Sequence, residues 1–214
     1  MQYFKNANGT PILDAVVKAI QANKDYLSEI DGLIGDGDHG ANMNKGFSIF
    51  SERHLGDAVG FTEGLNLLGT VLLEEIGGSM GPIYGTLFME MSEAGDEEQN
   101  IDLAVFSGML VAGLSGLQEI VDAKVGDKTL IDTLEPAVVA LSSAEKDGKD
   151  FFEALKEAKL AAEKGQESTK DLVAKFGRSS RLGERSKGVL DAGATSCRII
   201  LDAMIDGIEK QIES

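Results

Sequence analysis

The chain has 214 residues, 43% of them hydrophobic and 26% charged, with a formal net charge of −16 at pH 7. That composition describes one globular domain over residues 1–214 with ample length to bury a core, and its acidity excludes general nucleic-acid binding and docking on a membrane of anionic lipid, both of which need clustered Lys and Arg. The single Cys197 excludes an intrachain disulfide and a multi-cysteine zinc site; with no cleavable leader in Met1-Gln-Tyr-Phe-Lys-Asn6 and no apolar run approaching transmembrane length, a cytoplasmic location is expected.

The predicted elements are helical almost throughout. Thr10-Pro11 reads as N-cap and first helical residue, and Ile12, Val16, Ala19, Ile20 and Leu27 keep helical spacing to about Glu29. A glycine- and aspartate-rich loop follows from Asp31. Helices are predicted from about Ala41 to Arg53 and from Thr62 to Ile76. Gly77-Gly-Ser-Met-Gly81 breaks the chain and Pro82 restarts it toward Ala94. Asn100 is read as the cap of a fifth helix, and Asp127 as the cap of a sixth that Pro136 should bend or break. Asp150-Phe-Phe-Glu153 has the form of a capping box, opening a seventh helix to about Ala174. Phe176 to Gly193 is a loop rich in Gly and Arg, and the last helix runs from near Ala192 to Ile212. Eight helices without a clear strand predict one all-α bundle.

Four segments carry chemistry. Asp31, Asp36 and Asp38 are hard oxygen ligands brought together by intervening glycines, a donor set suited to Mg²⁺ on phosphates. An EF-hand starting at Asp36 is excluded, because Gly40, Ala41 and Phe47 fall where that loop needs an oxygen ligand, Gly and Glu. The glycine turn at 77–81 precedes a helix start, where free N–H groups favour a phosphate, though it lacks the ending of a P-loop. In Gly126-Asp-Lys-Thr129-Leu130, Leu130 suits either core or an adenine slot. Arg178, Arg181, Arg185 and Lys187 form a basic island able to stabilise charge on a transferring phosphoryl group. Neither a Ser-His-Asp arrangement nor any other catalytic nucleophile or general base is expected on this chain.

Taken together, Ile34-Gly-Asp-Gly-Asp-His-Gly-Ala-Asn42-Met-Asn44, Gly77-Gly78 with Gly81-Pro82, Gly126-Asp-Lys-Thr129, Leu182-Gly-Glu-Arg-Ser186 and Asp191-Ala-Gly-Ala-Thr-Ser196 resemble the nucleotide-binding L subunit of dihydroxyacetone kinases, in that family's order. His39 favours this branch over a related fatty-acid-kinase domain, which typically has Thr there. The resemblance implies an eight-helix antiparallel barrel with the nucleotide at one end. Asp31, Asp36 and Asp38 would hold two Mg²⁺ ions. His39, Gly40, Ala41 and Asn42 would approach the phosphates with Ser79 and Met80, Leu130 and Arg178 would lie on the adenine side, and Asp191, Ala192 and Gly193 would open the last helix at the site.

The resemblance further implies a division of labour. ADP or ATP sits on this chain, and the ketone sits on a separate K subunit. A phosphohistidine protein of the phosphotransferase system rephosphorylates the bound ADP in place. Two alternatives stand beside this reading: from a different class, a non-catalytic interaction module that binds a transcription regulator through the same surface, and, within the same class, a kinase subunit for another small ketose.

Overall fold

The computed structural model describes residues 2–56 and 58–213; Met1 and Ser214, the outer bounds of the expected domain, and Asp57 lie outside the described residues. Nine α-helices are formed among the described residues: α1 Thr10–Ala22, α2 Lys24–Ile34, α3 His39–His54, α4 Phe61–Glu75, α5 Met80–Glu93, α6 Leu103–Ile120, α7 Ile131–Lys146, α8 Phe151–Ser168 and α9 Ala192–Glu209. From α3 to α9 each helix packs on the next, and α1 closes the ring by packing against both α9 and α3. Eight helices thus make the expected helical barrel. The ninth, α2, leans across α3 and α9. One connected apolar core fills the interior, from Phe4 through Phe47, Phe88, Phe106 and Leu141 to Ile208.

The extra helix arises because the predicted first helix breaks at Asn23. Its side-chain amide donates to Ala19 O (2.8 Å), and its backbone leaves helical geometry at φ −102°, ψ 8°. A short polar side chain that offers the backbone an alternative partner is a common way to end a helix. The next helix, α2, then carries Asp31 in its last turn, so the predicted aspartate loop shrinks to Gly35–Asp38.

Two of three expected caps fall differently from expectation. Asn100 lies in a strand, and Asp102 caps α6 by accepting from Val105 N (3.0 Å). Asp127 does not cap α7, which begins four residues later and runs unbroken through Pro136. Its approach is held instead by Asp132, whose carboxylate accepts from Gly126 N (2.6 Å) and Thr129 N (2.7 Å). The third, Asp150, forms the expected capping box with Glu153, but α8 stops at Ser168 rather than near Ala174.

Two strands, Tyr3–Lys5 (β1) and Asn100–Asp102 (β2), pair antiparallel with Phe4 opposite Ile101. Three residues each are too few for an alternating pattern to register in the sequence. Tyr3 also exchanges backbone hydrogen bonds with Glu213, so Tyr3 and Glu213 meet beside the strand that leads into α6. The opposite end of the barrel is left to the connections before α3, α5, α7 and α9. Among the described residues one helix, α6, is long and apolar enough to cross a membrane by length and composition alone, with a mean hydropathy of 1.5 over Leu103–Ile120. That corrects the expectation of no such run. It packs between α5 and α7 and contributes Phe106, Met109, Leu110 and Leu117 to the core.

Candidate functional site

A cavity of about 410 Å³ opens at the end of the barrel where those four connections meet. Its walls are the end of α2 with the 35–38 turn, the start of α5, residues 121–130 ahead of α7, the 176–179 stretch and the start of α9. Apolar side chains (Ile34, Ile83, Val121, Ala123, Leu130, Phe176) line much of it, and polar groups complete its walls, among them the three aspartates of the 31–38 segment.

Those aspartates form an acidic cluster. One carboxylate oxygen from each of Asp31, Asp36 and Asp38 lies within 4.8 Å of the others. Asp31 projects from the last turn of α2 and also accepts from His39 N (3.3 Å). Gly35 makes the convergence possible: a Cβ there would sit 2.4 Å from the Asp31 carboxylate. The turn then continues through Gly37 in the left-handed region at φ 76°, which favours glycine. Three carboxylates so close call for a cation, and among the described residues the only basic side chain paired with them is Arg178, which binds Asp36. Converging hard oxygen donors at the edge of a polar-rimmed cavity fit a divalent magnesium-type ion.

Beside the cluster, His39 is buried at the N-terminus of α3. Its Nε2 lies 2.8 Å from Ser196 Oγ, which in turn lies 2.6 Å from the Tyr84 hydroxyl. Both hydroxyls also reach Gly193 O, at 3.1 Å from Ser196 and 3.2 Å from Tyr84. This relay ties α3, α5 and α9 together beneath the cavity. Desolvation lowers the His39 pKa to about 4, against an opposing pull from Asp31, so the ring is neutral at pH 7. Burial raises the Tyr84 hydroxyl well above its usual range. Asp191, the N-cap of α9, accepts from Ala194 N (2.8 Å) and is pushed up to about 6, chiefly by burial.

These two shifts act oppositely on stability. A buried neutral His39 stabilises the fold above its unfolded pKa of about 6.5, and that contribution is lost as pH falls toward 4. Asp191 has a folded pKa above its unfolded 3.8, so its contribution is fully present below 3.8 and is lost as pH rises through about 6. Asp191→Asn should therefore lose about 2 kcal/mol relative to the unmodified chain between pH 7 and pH 4.5. Urea unfolding of both proteins at the two pH values reads this directly; a pH-independent difference would show that Asp191 does not titrate in that window.

Of the basic island, Arg178 alone lines the cavity. Residues Arg178–Ser186 form a 3₁₀ stretch kinked at Gly183. Arg178 reaches Asp36, Lys187 pairs with Glu184 (2.9 Å), and Arg181 and Arg185 are exposed. The loop is anchored from the 127–128 pair: Asp127 accepts from Lys175 through both its carboxylate (2.5 Å) and its backbone carbonyl (3.1 Å). Lys128 is buried at 1% exposure and lies on the cavity wall.

Of the residues singled out from the sequence, Asp31, Asp36, Asp38, His39, Ser79, Met80, Leu130, Arg178, Asp191, Ala192 and Gly193 all line this one cavity. Gly40, Ala41 and Asn42 do not. Successive residues of a helix turn by roughly 100°, so only His39 of that run faces the cavity. Gly40 is buried against α2, where a Cβ would lie 1.9 Å from Lys24 O, and Ala41 is exposed. Sequence reasoning missed Tyr84, Ser196, Lys128 and Phe176 as neighbours of the site. Lys128 lay within a motif that was noted, but it was obscured by the capping role assigned to Asp127.

The DAK2 domain family matches residues 33–206. The ADP-binding subunit DhaL of PEP-dependent dihydroxyacetone kinase 1 from Listeria innocua serovar 6a is 40% identical over 190 residues, covering 87% of this chain and 88% of the relative. The corresponding subunit from Escherichia coli K12 is 37% identical over 183 residues, covering 84% and 86%. The fold is also that of the dihydroxyacetone kinase from C. freundii crystallised with AMP-PNP and Mg²⁺, with a TM-score of 0.69 at 21% identity over 94% of this chain. The chain spans about a third of that longer protein, covering 34% of it.

Proposed function

The chain belongs to the DAK2 domain family as a DhaL-type kinase subunit, and from that we propose that it is the nucleotide-carrying half of a cytoplasmic dihydroxyacetone kinase, a single domain that binds ADP or ATP with two Mg²⁺ ions. The observation that carries this reading is the meeting of Asp31, Asp36 and Asp38 at the edge of a cavity of about 410 Å³ with an apolar interior. A nucleotide fits such a division, its base in the apolar part and its phosphates toward the acids.

The placement of the residues supports the following roles. Asp31, Asp36 and Asp38 hold the ions, which neutralise phosphate charge and template in-line transfer when bound. His39, neutral and fixed by Ser196, faces the phosphates together with Ser79 and Met80 at the start of α5. Leu130 packs on the base, and Ala192 and Gly193 present the N-terminus of α9. Arg178 exchanges its pairing with Asp36 for the charge of the nucleotide. No side chain is assigned as general base; the chain positions the phosphoryl group, and the acceptor hydroxyl comes from dihydroxyacetone on a separate K subunit. A phosphohistidine protein of the phosphotransferase system recharges the ADP in place, a proposal supported by the words "PEP-dependent" in the names of its relatives.

Native mass spectrometry of the purified protein, followed by assay with a K subunit, dihydroxyacetone and the phosphohistidine donor, tests this. Retained ADP with magnesium and donor-dependent triose phosphate are expected. An empty site that turns over with free ATP would replace in-place recharging by nucleotide exchange. No product from either donor would overturn the kinase reading and favour a non-catalytic module.

A further inference from the structure

The loop that contributes Phe176–Ser179 to the cavity wall leaves the barrel after Thr169 and returns at Val189. Both departure points are held by one side chain. The Lys128 ammonium donates to Thr169 O and to Val189 O, the latter at 2.5 Å. Its described hydrogen-bond partners are these two carbonyls, with no carboxylate among them. A lysine buried to 1% exposure and bonded to carbonyls alone is unusual for core filling, because desolvating the charge is unfavourable. Burial lowers its pKa, and Asp191, Asp132 and Asp171 oppose that by favouring the charged form.

A second, independent observation is in the backbone. Lys128 is the only non-glycine residue with positive φ (61°) among the described residues. L side chains rarely adopt that conformation, and it is retained where surrounding contacts demand it. Neighbouring bonds converge on the same task. Thr169 Oγ1 accepts from Asp191 N (3.0 Å), Gly188 N donates to Lys170 O (2.7 Å), and Ser186 Oγ accepts from Ala174 N (2.9 Å).

We propose that Lys128 is a positioning residue, a buried clasp that joins the two ends of the 170–188 loop and so holds Phe176 and Arg178 on the cavity wall. The nucleotide part of this inference rests on the function proposed above, whereas the clasp itself does not. Lys128 acts through the loop rather than on the reacting atoms. Cutting the clasp frees the loop at both ends, which shortens the residence of anything bound in the cavity.

Hydrogen exchange followed by mass spectrometry on the full chain, with and without ADP and Mg²⁺, is the test. In Lys128→Met, which keeps the side-chain volume, exchange in peptides spanning 172–191 should quicken about tenfold, while peptides from α4 to α6 keep their rates. Release of ADP should quicken about tenfold as well. Lys128→Gln retains an N–H donor and should fall between the two, and it replaces Lys128→Met if that variant does not fold. Unchanged loop exchange overturns the clasp. Acceleration spread evenly over all helices also overturns it, since that is the signature of a residue serving the core alone. If the unmodified chain binds no added ADP with Mg²⁺, the proposed function fails while the loop measurement still decides the clasp.

Discussion

Asp36→Asn is expected to abolish Mg²⁺-dependent retention of ADP while leaving the far-ultraviolet circular dichroism unchanged. Asp36 lies in the short turn between α2 and α3, outside any helix, so its carboxylate is not part of the scaffold. Its only described partner is Arg178, in a pair with both side chains substantially exposed, and exposed pairs of this kind contribute only about 0–1 kcal/mol. The metal side is different. Asn keeps an oxygen but loses the charge, leaving two carboxylates where three converge within 4.8 Å. Loss of several kcal/mol of ion–phosphate stabilisation corresponds to at least about a hundredfold weaker retention. Equilibrium dialysis with labelled ADP, with and without Mg²⁺, measures it. Arg178→Ala is the control: it removes the same ion pair but should leave the magnesium dependence intact. Equal retention by Asp36→Asn and the unmodified chain would remove the metal assignment.

Gly40→Ala should be the most destabilising single-methyl addition near the site. Its Cβ would lie 1.9 Å from Lys24 O and 2.7 Å from Ser28 N, both backbone atoms of α2 that cannot rotate away. Relief requires α3 to move from α2, and overpacking of this severity costs about 3 kcal/mol. For a chain of this size that is a fall in Tm of roughly 6–12 °C. The same movement displaces His39 from Asp31 and Ser196, so ADP binding should weaken in parallel. Thermal unfolding without nucleotide separates the two origins. A variant with unchanged Tm and weakened ADP binding would return Gly40 to the phosphate-contacting role implied by resemblance, in place of the packing role its position indicates.

The contrast between Gly40 and its neighbours bears on how far the sequence could be read. Ile34-Gly-Asp-Gly-Asp-His39 announced a metal-type cluster because its ligands are close in sequence and its glycines restrict what the turn can do. The capping box at Asp150 and Glu153 was legible for the same reason: both partners lie within one helical turn. Asp127 misled because a local rule, a polar residue ahead of a helix, was satisfied in sequence while Lys175, 48 positions away, claimed its carboxylate. Nothing near Tyr84 indicates Ser196, 112 positions later, as its partner.

The sequence by itself determined that the chain is helical, that its acids and glycines gather at turns, and that its motifs follow the order of a known family. Helical periodicity, caps and turn chemistry act over a few residues, so they survive in one dimension. Only the tertiary structure decided that α1 closes the ring against α9, that Gly40 serves packing while His39 faces the cavity, and that Lys128 lies buried between the two ends of a distant loop. Those outcomes depend on which faces meet after collapse, where excluded volume and the satisfaction of buried polar groups outweigh local preference.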